Sequence, residues 1–245
     1  MLEGPHVVAA ALEAGLAVDE VFHEHGADPA VLERARGRAV PVHELEPGTL
    51  ARISDAVSPQ PVLAVAPWCD VALDRIAAEA GERPVVVLHE LADPGNVGTL
   101  VRTAEAAGAA GVVVSGRAAD VFGPKAVRAS AGALFHVPVA VAPAVDEVVA
   151  RLRSAGLRLL GTAADAATPY DREPLTGPLA LFLGNEADGL PAPVRAALDR
   201  TVAVPIDGRA ESLNVAAAGA VLCFEAARQR RSARSNPPGS IPPIS

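Results

Sequence analysis

A chain of 245 residues that is 50% hydrophobic and carries a formal net charge of −8 is long enough for one large or two small domains and too apolar to be disordered. The acidic balance argues against a protein that grips nucleic acid through overall charge, and leaves local basic patches for that purpose. No apolar run is long enough to cross a bilayer, no signal peptide opens the chain, and Cys69 and Cys223 lack metal-ligand spacing, so a cytoplasmic protein without membrane or metal partners is expected.

Aromatics are scarce, and Val, Ala and Leu dominate, which suits Val-rich parallel strands packed against helices. Leu2-Glu3-Gly4 reads as the end of a strand whose start is either short or missing. Helices are predicted over residues 6–16, 31–35 and 47–53, and strands over 18–22, 40–42 and 62–66. Together they form a small α/β unit over residues 1–67. His23-Glu24-His25 has no third ligand nearby and reads as a solvated strand end. Lys125 is the only lysine among 21 basic residues, and arginines cluster at Arg34-Ala-Arg-Gly-Arg38 and from Arg228 to Arg234. The forked guanidinium suits phosphate, and a general bias of Arg over Lys would produce the same clusters. Residues 68–82 hold one short helical pattern (Val71, Leu73, Ile76, Ala77) and read as a linker.

The sequence then changes character. Arg83 to Leu88 reads as a buried parallel strand, followed by the loop Pro94-Gly-Asn-Val-Gly98, a helix from Thr99 to Ala107 and a strand over 111–114, in other words a βαβ unit. It carries no G-x-G-x-x-G, and its second strand ends in Ser115-Gly116-Arg117 rather than an acidic residue for a ribose, which disfavours a nucleotide-binding oxidoreductase. Arg102, placed in the first turn of that helix, either faces the cleft at the carboxyl edge of the sheet or pairs with Glu105. Residues 121–132 read as a polar loop and short helix bearing Lys125, Arg128 and Ser130. Strands are predicted over 137–141, 157–162, 179–183 and 202–205, helices over 145–154 and 191–198, and an irregular stretch over 163–176. Gly184-Asn-Glu-Ala-Asp-Gly189 aims a carboxylate into a site from a strand end, with glycines that allow close backbone approach. Ser212-Leu213-Asn214 opens a helix with capping residues, and the small run Ala216-Ala-Ala-Gly-Ala220 lets another backbone come close. Residues 232–245 read as a disordered tail.

Three loops therefore stand in fixed order: Asp93-Pro-Gly-Asn-Val-Gly-x3-Arg102, Leu183-Gly-Asn-Glu-x2-Gly189, and Val204-Pro-Ile-x4-Glu-Ser-Leu-Asn214. They resemble the signature motifs of the SpoU (TrmH) family of SPOUT methyltransferases, and Arg128-Ala-Ser-Ala-Gly-Ala133 is similar to the family's intermediate segment. The first 67 residues resemble the small ribosomal-protein-like RNA-binding domain that many members carry in front.

The resemblance implies an α/β fold, with a SPOUT-type parallel-sheet catalytic domain over 83–231 that ends in a C-terminal trefoil knot. It also implies a homodimer, and S-adenosylmethionine-dependent 2′-O-methylation of a ribose in structured RNA; the front unit and the acidic total charge favour ribosomal RNA over transfer RNA. Carried over by motif, Thr162, Leu183, Gly184, Ile206 and Leu213 contact the donor. Asn96, Arg102, Glu186, Ser212 and Asn214 form the catalytic group, and Lys125 and Arg128 contact RNA. In this reading Arg102 activates the ribose hydroxyl, Asn96 fixes the loop or Arg102, and Glu186 orients Arg102 or the ribose. A guanidinium stays protonated in almost any protein setting, so it stabilises a developing alkoxide more easily than it acts as a base. The alternative is a non-catalytic RNA-binding or ribosome-assembly factor that keeps the fold.

Overall fold

The computed structural model describes residues 1–54, 58–142 and 144–235. The N-terminal unit runs β1 (Leu2–Glu3), α1 (Pro5–Glu13), β2 (Glu20–His23), α2 (Pro29–Gly37), β3 (Val42–Glu44), α3 (Leu50–Ile53), β4 (Val62–Val65). Its sheet has the order β1-β4-β2-β3, with β4 antiparallel to both neighbours and β2 parallel to β3. The start of α2 has a local cause. Asp28 caps α2 by accepting from the Ala30 N–H at 2.9 Å, and Pro29 supplies a helical φ at the first position.

The short helical pattern in the linker forms α4 (Leu73–Glu79), whose Ile76 and Ala77 are buried against the second sheet. There follow β5 (Val85–His89), α5 (Pro94–Ala106), β6 (Gly111–Ser115), α6 (Pro124–Ser130), β7 (Val139–Ala142), α7 (Val145–Ser154), β8 (Arg158–Thr162), β9 (Leu179–Leu183), α8 (Ala192–Ala197), β10 (Arg200–Val202) and α9 (Val215–Ser235). The six strands are parallel in the order β10-β8-β9-β5-β6-β7. β5, β6 and β9 are buried at every residue, as strands covered by helices on both faces must be.

The connection leaving β5 runs to β6, while the one leaving β9 runs the other way, past β8 to β10. Neighbouring strands whose connections diverge leave a crevice at their carboxyl ends, and that is where the polar loops collect.

Three expectations change. Pro94 to Gly98 is the first turn of α5 and not a loop: Asp93 accepts from the Gly95 N–H at 3.0 Å and Pro94 starts the helix, and this capping overrides the low helical preference of the two glycines. The last strand spans Arg200–Val202 and not 202–205, because the Ala203 N–H turns away from β8 to the Thr168 carbonyl at 2.9 Å. Residues 232–235 continue α9 rather than beginning a disordered tail; the rest of that predicted tail lies outside the described residues.

The two units share one continuous apolar core, which runs from Leu2, Val8 and Leu12 to Val86, Val97 and Leu134. A polar contact crosses the same junction. Glu3, buried in β1, accepts from Arg128 of α6 at 2.8 Å and from the Ser54 hydroxyl at 2.5 Å.

Candidate active site

The three motif loops meet at the carboxyl edge of the parallel sheet and are tied by one polar chain. Glu186, just past β9, accepts from the backbone N–H groups of Ala92 (3.0 Å) and Asp93 (3.1 Å) and from Nδ2 of Asn96 (2.9 Å). Asn96 in turn accepts at Oδ1 from Nδ2 of Asn214 at 3.1 Å. Asn214 caps α9, its Oδ1 accepting from the N–H groups of Ala216 (2.9 Å) and Ala217 (3.3 Å). Burial works against the charge on Glu186. The hydrogen bonds from Asn96, Ala92 and Asp93 outweigh it and hold the carboxyl below its ordinary range.

Beneath this chain, Asn185 donates from Nδ2 to the Glu90 carbonyl at 2.7 Å. Glu90 sits at φ 56°, an unfavourable backbone for a residue with a Cβ, and Asn185 is one of the groups that hold it there. Neither was singled out in the sequence. Their partnership spans 95 positions and leaves no local pattern.

Arg102 lies in roughly the third turn of α5, not the first, because the helix begins earlier than expected. Its side chain is exposed and makes no hydrogen bond or ion pair among the described residues. The protein therefore leaves this guanidinium free, and neither Asn96 nor Glu186 is spent on orienting it. Lys125 donates to Asp93 at 2.6 Å, a bond that, with the Gly95 N–H, holds the Asp93 carboxyl low. Arg128 is turned to Glu3 at the junction of the two units. In the other predicted basic clusters, Arg34 pairs with Glu13, Arg38 donates to the Leu12 carbonyl and Arg228 pairs with Glu225.

A cavity of about 330 Å³ opens beside the polar chain, lined by Thr162, Gly184, Glu186, Ile206, Ser212 and Leu213 from the sequence-predicted set. Gly184 forms its tight floor, since a Cβ there would lie 2.2 Å from the Gly189 carbonyl carbon. Leu183 does not line it; its side chain packs under the site against Gly219 of α9. Asp165 and Arg195, on the far rim, were not foreseen.

A cavity walled by strand-end loops of a parallel sheet, with a fixed amide and carboxylate chain beside it, is the arrangement of an α/β enzyme with a small-molecule site. Residues 83–224 match the SpoU rRNA Methylase family, and residues 1–67 match RNA 2'-O ribose methyltransferase substrate binding. The chain belongs to the SpoU rRNA methylase family. It is 33% identical over 225 residues, 91% of this chain and 86% of the relative, to the 23S rRNA (guanosine(2553)-2'-O)-methyltransferase RlmP of Bacillus subtilis. It is 39% identical over 183 residues, 73% of this chain and 63% of the relative, to the 23S rRNA (uridine(2479)-2'-O)-methyltransferase of Streptomyces viridochromogenes. Among solved structures, the SpoU methyltransferase AviRb from Streptomyces viridochromogenes in complex with the cofactor AdoMet superposes with a TM-score of 0.84 at 33% identity, covering 94% of this chain and 90% of that one.

Proposed function

We propose that the cavity holds S-adenosylmethionine and that the chain methylates a ribose 2′-hydroxyl of ribosomal RNA. The observation that carries this reading is the chain Glu186, Asn96, Asn214, which locks the three motif loops around one cavity in a chain whose two units both match the family's. The residues present fit the donor. The cavity is at the lower end of small-molecule sites in size, and Val204, Ile206 and Leu213 offer apolar surface to a flat base. When bound, the donor supplies an electrophilic methyl group on its sulfonium.

The protein's part is orientation and charge. Asn96, held from both sides, fixes the first turn of α5, and Arg102, unpartnered among the described residues, stabilises the alkoxide as the ribose hydroxyl gives its proton to water. Lys125 and Arg128 supply positive charge on α6 that faces RNA only where Asp93 and Glu3 do not already claim it.

The path of the chain supports a trefoil knot. Ala203, just beyond β10, bonds to Thr168 and Tyr170, and α9 then covers that stretch, with Gln229 accepting from the Leu175 N–H at 2.7 Å and donating to the Glu173 carbonyl at 3.1 Å. Phe224, 47% exposed on the outer face of α9 near the exposed Ala217, supports a homodimer that covers this face. No described helix is long and apolar enough to cross a membrane, and ribosomal RNA as substrate supports a cytoplasmic enzyme.

The test is methyl transfer from labelled donor to ribosomal RNA, followed by mapping of the modified ribose. Wild-type protein is expected to modify a single ribose. Transfer to a base, or none to any ribosomal RNA, would overturn the assignment.

A further inference from the structure

Asp165 and Arg195, both of which line the donor cavity, form a two-pronged ion pair. Oδ1 of Asp165 accepts from Nη2 of Arg195 at 2.9 Å and Oδ2 accepts from Nη1 at 3.2 Å. Asp165 follows β8 and Arg195 belongs to α8, so the pair bridges two separate elements across the mouth of the cavity, and both residues line it. The side chains remain accessible, 71% exposed for Asp165 and 35% for Arg195. A surface pair this exposed adds little to stability, so its placement on a ligand cavity calls for another reason.

We propose that this pair is the subsite for the amino-acid end of the methyl donor, with Arg195 receiving the α-carboxylate and Asp165 the α-ammonium. The inference rests on the donor reading above. A carboxylate and a guanidinium side by side complement a zwitterion: the ligand's charges alternate with the pair's, and every charge in the resulting ring has an opposite neighbour. The guanidinium has five N–H donors and uses two of them on Asp165, and each Asp165 oxygen keeps a free lone pair. Arg195 also keeps the Asp165 carboxyl below its ordinary range, so the aspartate is ionised wherever the enzyme works. The remaining lining suits the other end of the donor, with apolar Val204, Ile206 and Leu213 and the backbone of Gly184.

Two thioethers separate the ends of the ligand. S-Adenosylhomocysteine carries the zwitterion; 5′-methylthioadenosine has the same adenosine and sulfur and lacks it. Calorimetric titration of the full chain is expected to show Arg195→Leu and Asp165→Asn each weakening S-adenosylhomocysteine by about ten- to hundredfold, the size of a lost charged hydrogen bond, with 5′-methylthioadenosine unchanged. Unchanged binding of the second compound also shows that the cavity is still folded. Arg195→Lys is expected to restore part of the loss. Equal weakening of both compounds would overturn the inference by placing the adenosine, or only loop structure, at the pair, as would no change in either. A wild-type protein that binds neither compound would remove the donor reading itself, and the subsite with it.

Discussion

Arg102 is an exposed guanidinium without a partner among the described residues, so Arg102→Ala is expected to keep donor affinity within about twofold while methyl transfer falls by about 100-fold or more, the usual scale for losing a charge stabiliser. Calorimetry and single-turnover transfer read the two halves. Glu186 is different, because it acts on the loop and not on the reaction. Glu186→Gln replaces an acceptor of three hydrogen bonds by a group with one acceptor oxygen, and transfer is expected to fall by about tenfold, equivalent to about 1.4 kcal/mol. Because the folded protein holds this carboxyl below the ordinary glutamate range, its stabilising contribution is present at neutral pH. It is lost only as the pH falls through that lowered value. Activity near pH 6 should therefore show no titration from Glu186, and a glutamate-dependent loss in that range, absent from Glu186→Gln, would contradict the arrangement.

Among the elements, α5 and α6 are the pair that sets the site. Gly98 lies where α6 crosses: a Cβ there would come within 2.2 Å of the Ala126 carbonyl oxygen and 2.7 Å of the Ala129 Cβ. Backbone cannot step aside as a side chain does, so Gly98→Ala is expected to lower stability by about 1–3 kcal/mol in chemical denaturation and to weaken transfer with it. Sequence patterning was enough for elements governed by their own residues. In α7, Asp146 and Glu147 open the helix, Arg151 and Arg153 close it, and Val148, Val149 and Leu152 mark its buried stripe, all within ten residues. It was not enough where a distant contact decides. Nothing local says that Glu186 will turn to a loop 90 positions away rather than to Arg102, or that Asp165 will meet Arg195 across 30. The start of α5 differs for another reason: Pro94 and two glycines suggest a loop, whereas in the fold the Asp93 cap starts the helix there.

At the scale of the molecule, the junction between the units rests on apolar packing plus one buried carboxylate. Glu3 is 2% exposed in its side chain and Arg128 32%. Arg128→Met leaves that charge without its cation, and the whole chain is expected to lose about 3 kcal/mol in denaturant unfolding, whereas a surface pair would lose well under 1. This outcome would also show that Arg128 serves the junction more than RNA. The core offers a second check. Burial pushes the Cys223 thiol up to about 12, so a thiol reagent at pH 8 should modify Cys69 in the native protein and reach Cys223 only on unfolding. Early modification of Cys223 would mean that α9 opens readily.

That last helix has a consequence in time. The far wall of the cavity, from Ser212 to Ala218, is built by the same segment that seats Gly219 on Leu100 and Leu183, more than a hundred residues after the first motif. A chain emerging from the ribosome from its N-terminal end presents its front unit and most of the sheet well before this wall exists. During its own synthesis the chain is thus an unfinished enzyme beside ribosomal RNA, the substrate class proposed for it. It becomes able to hold a methyl donor only once α9 has been released and docked.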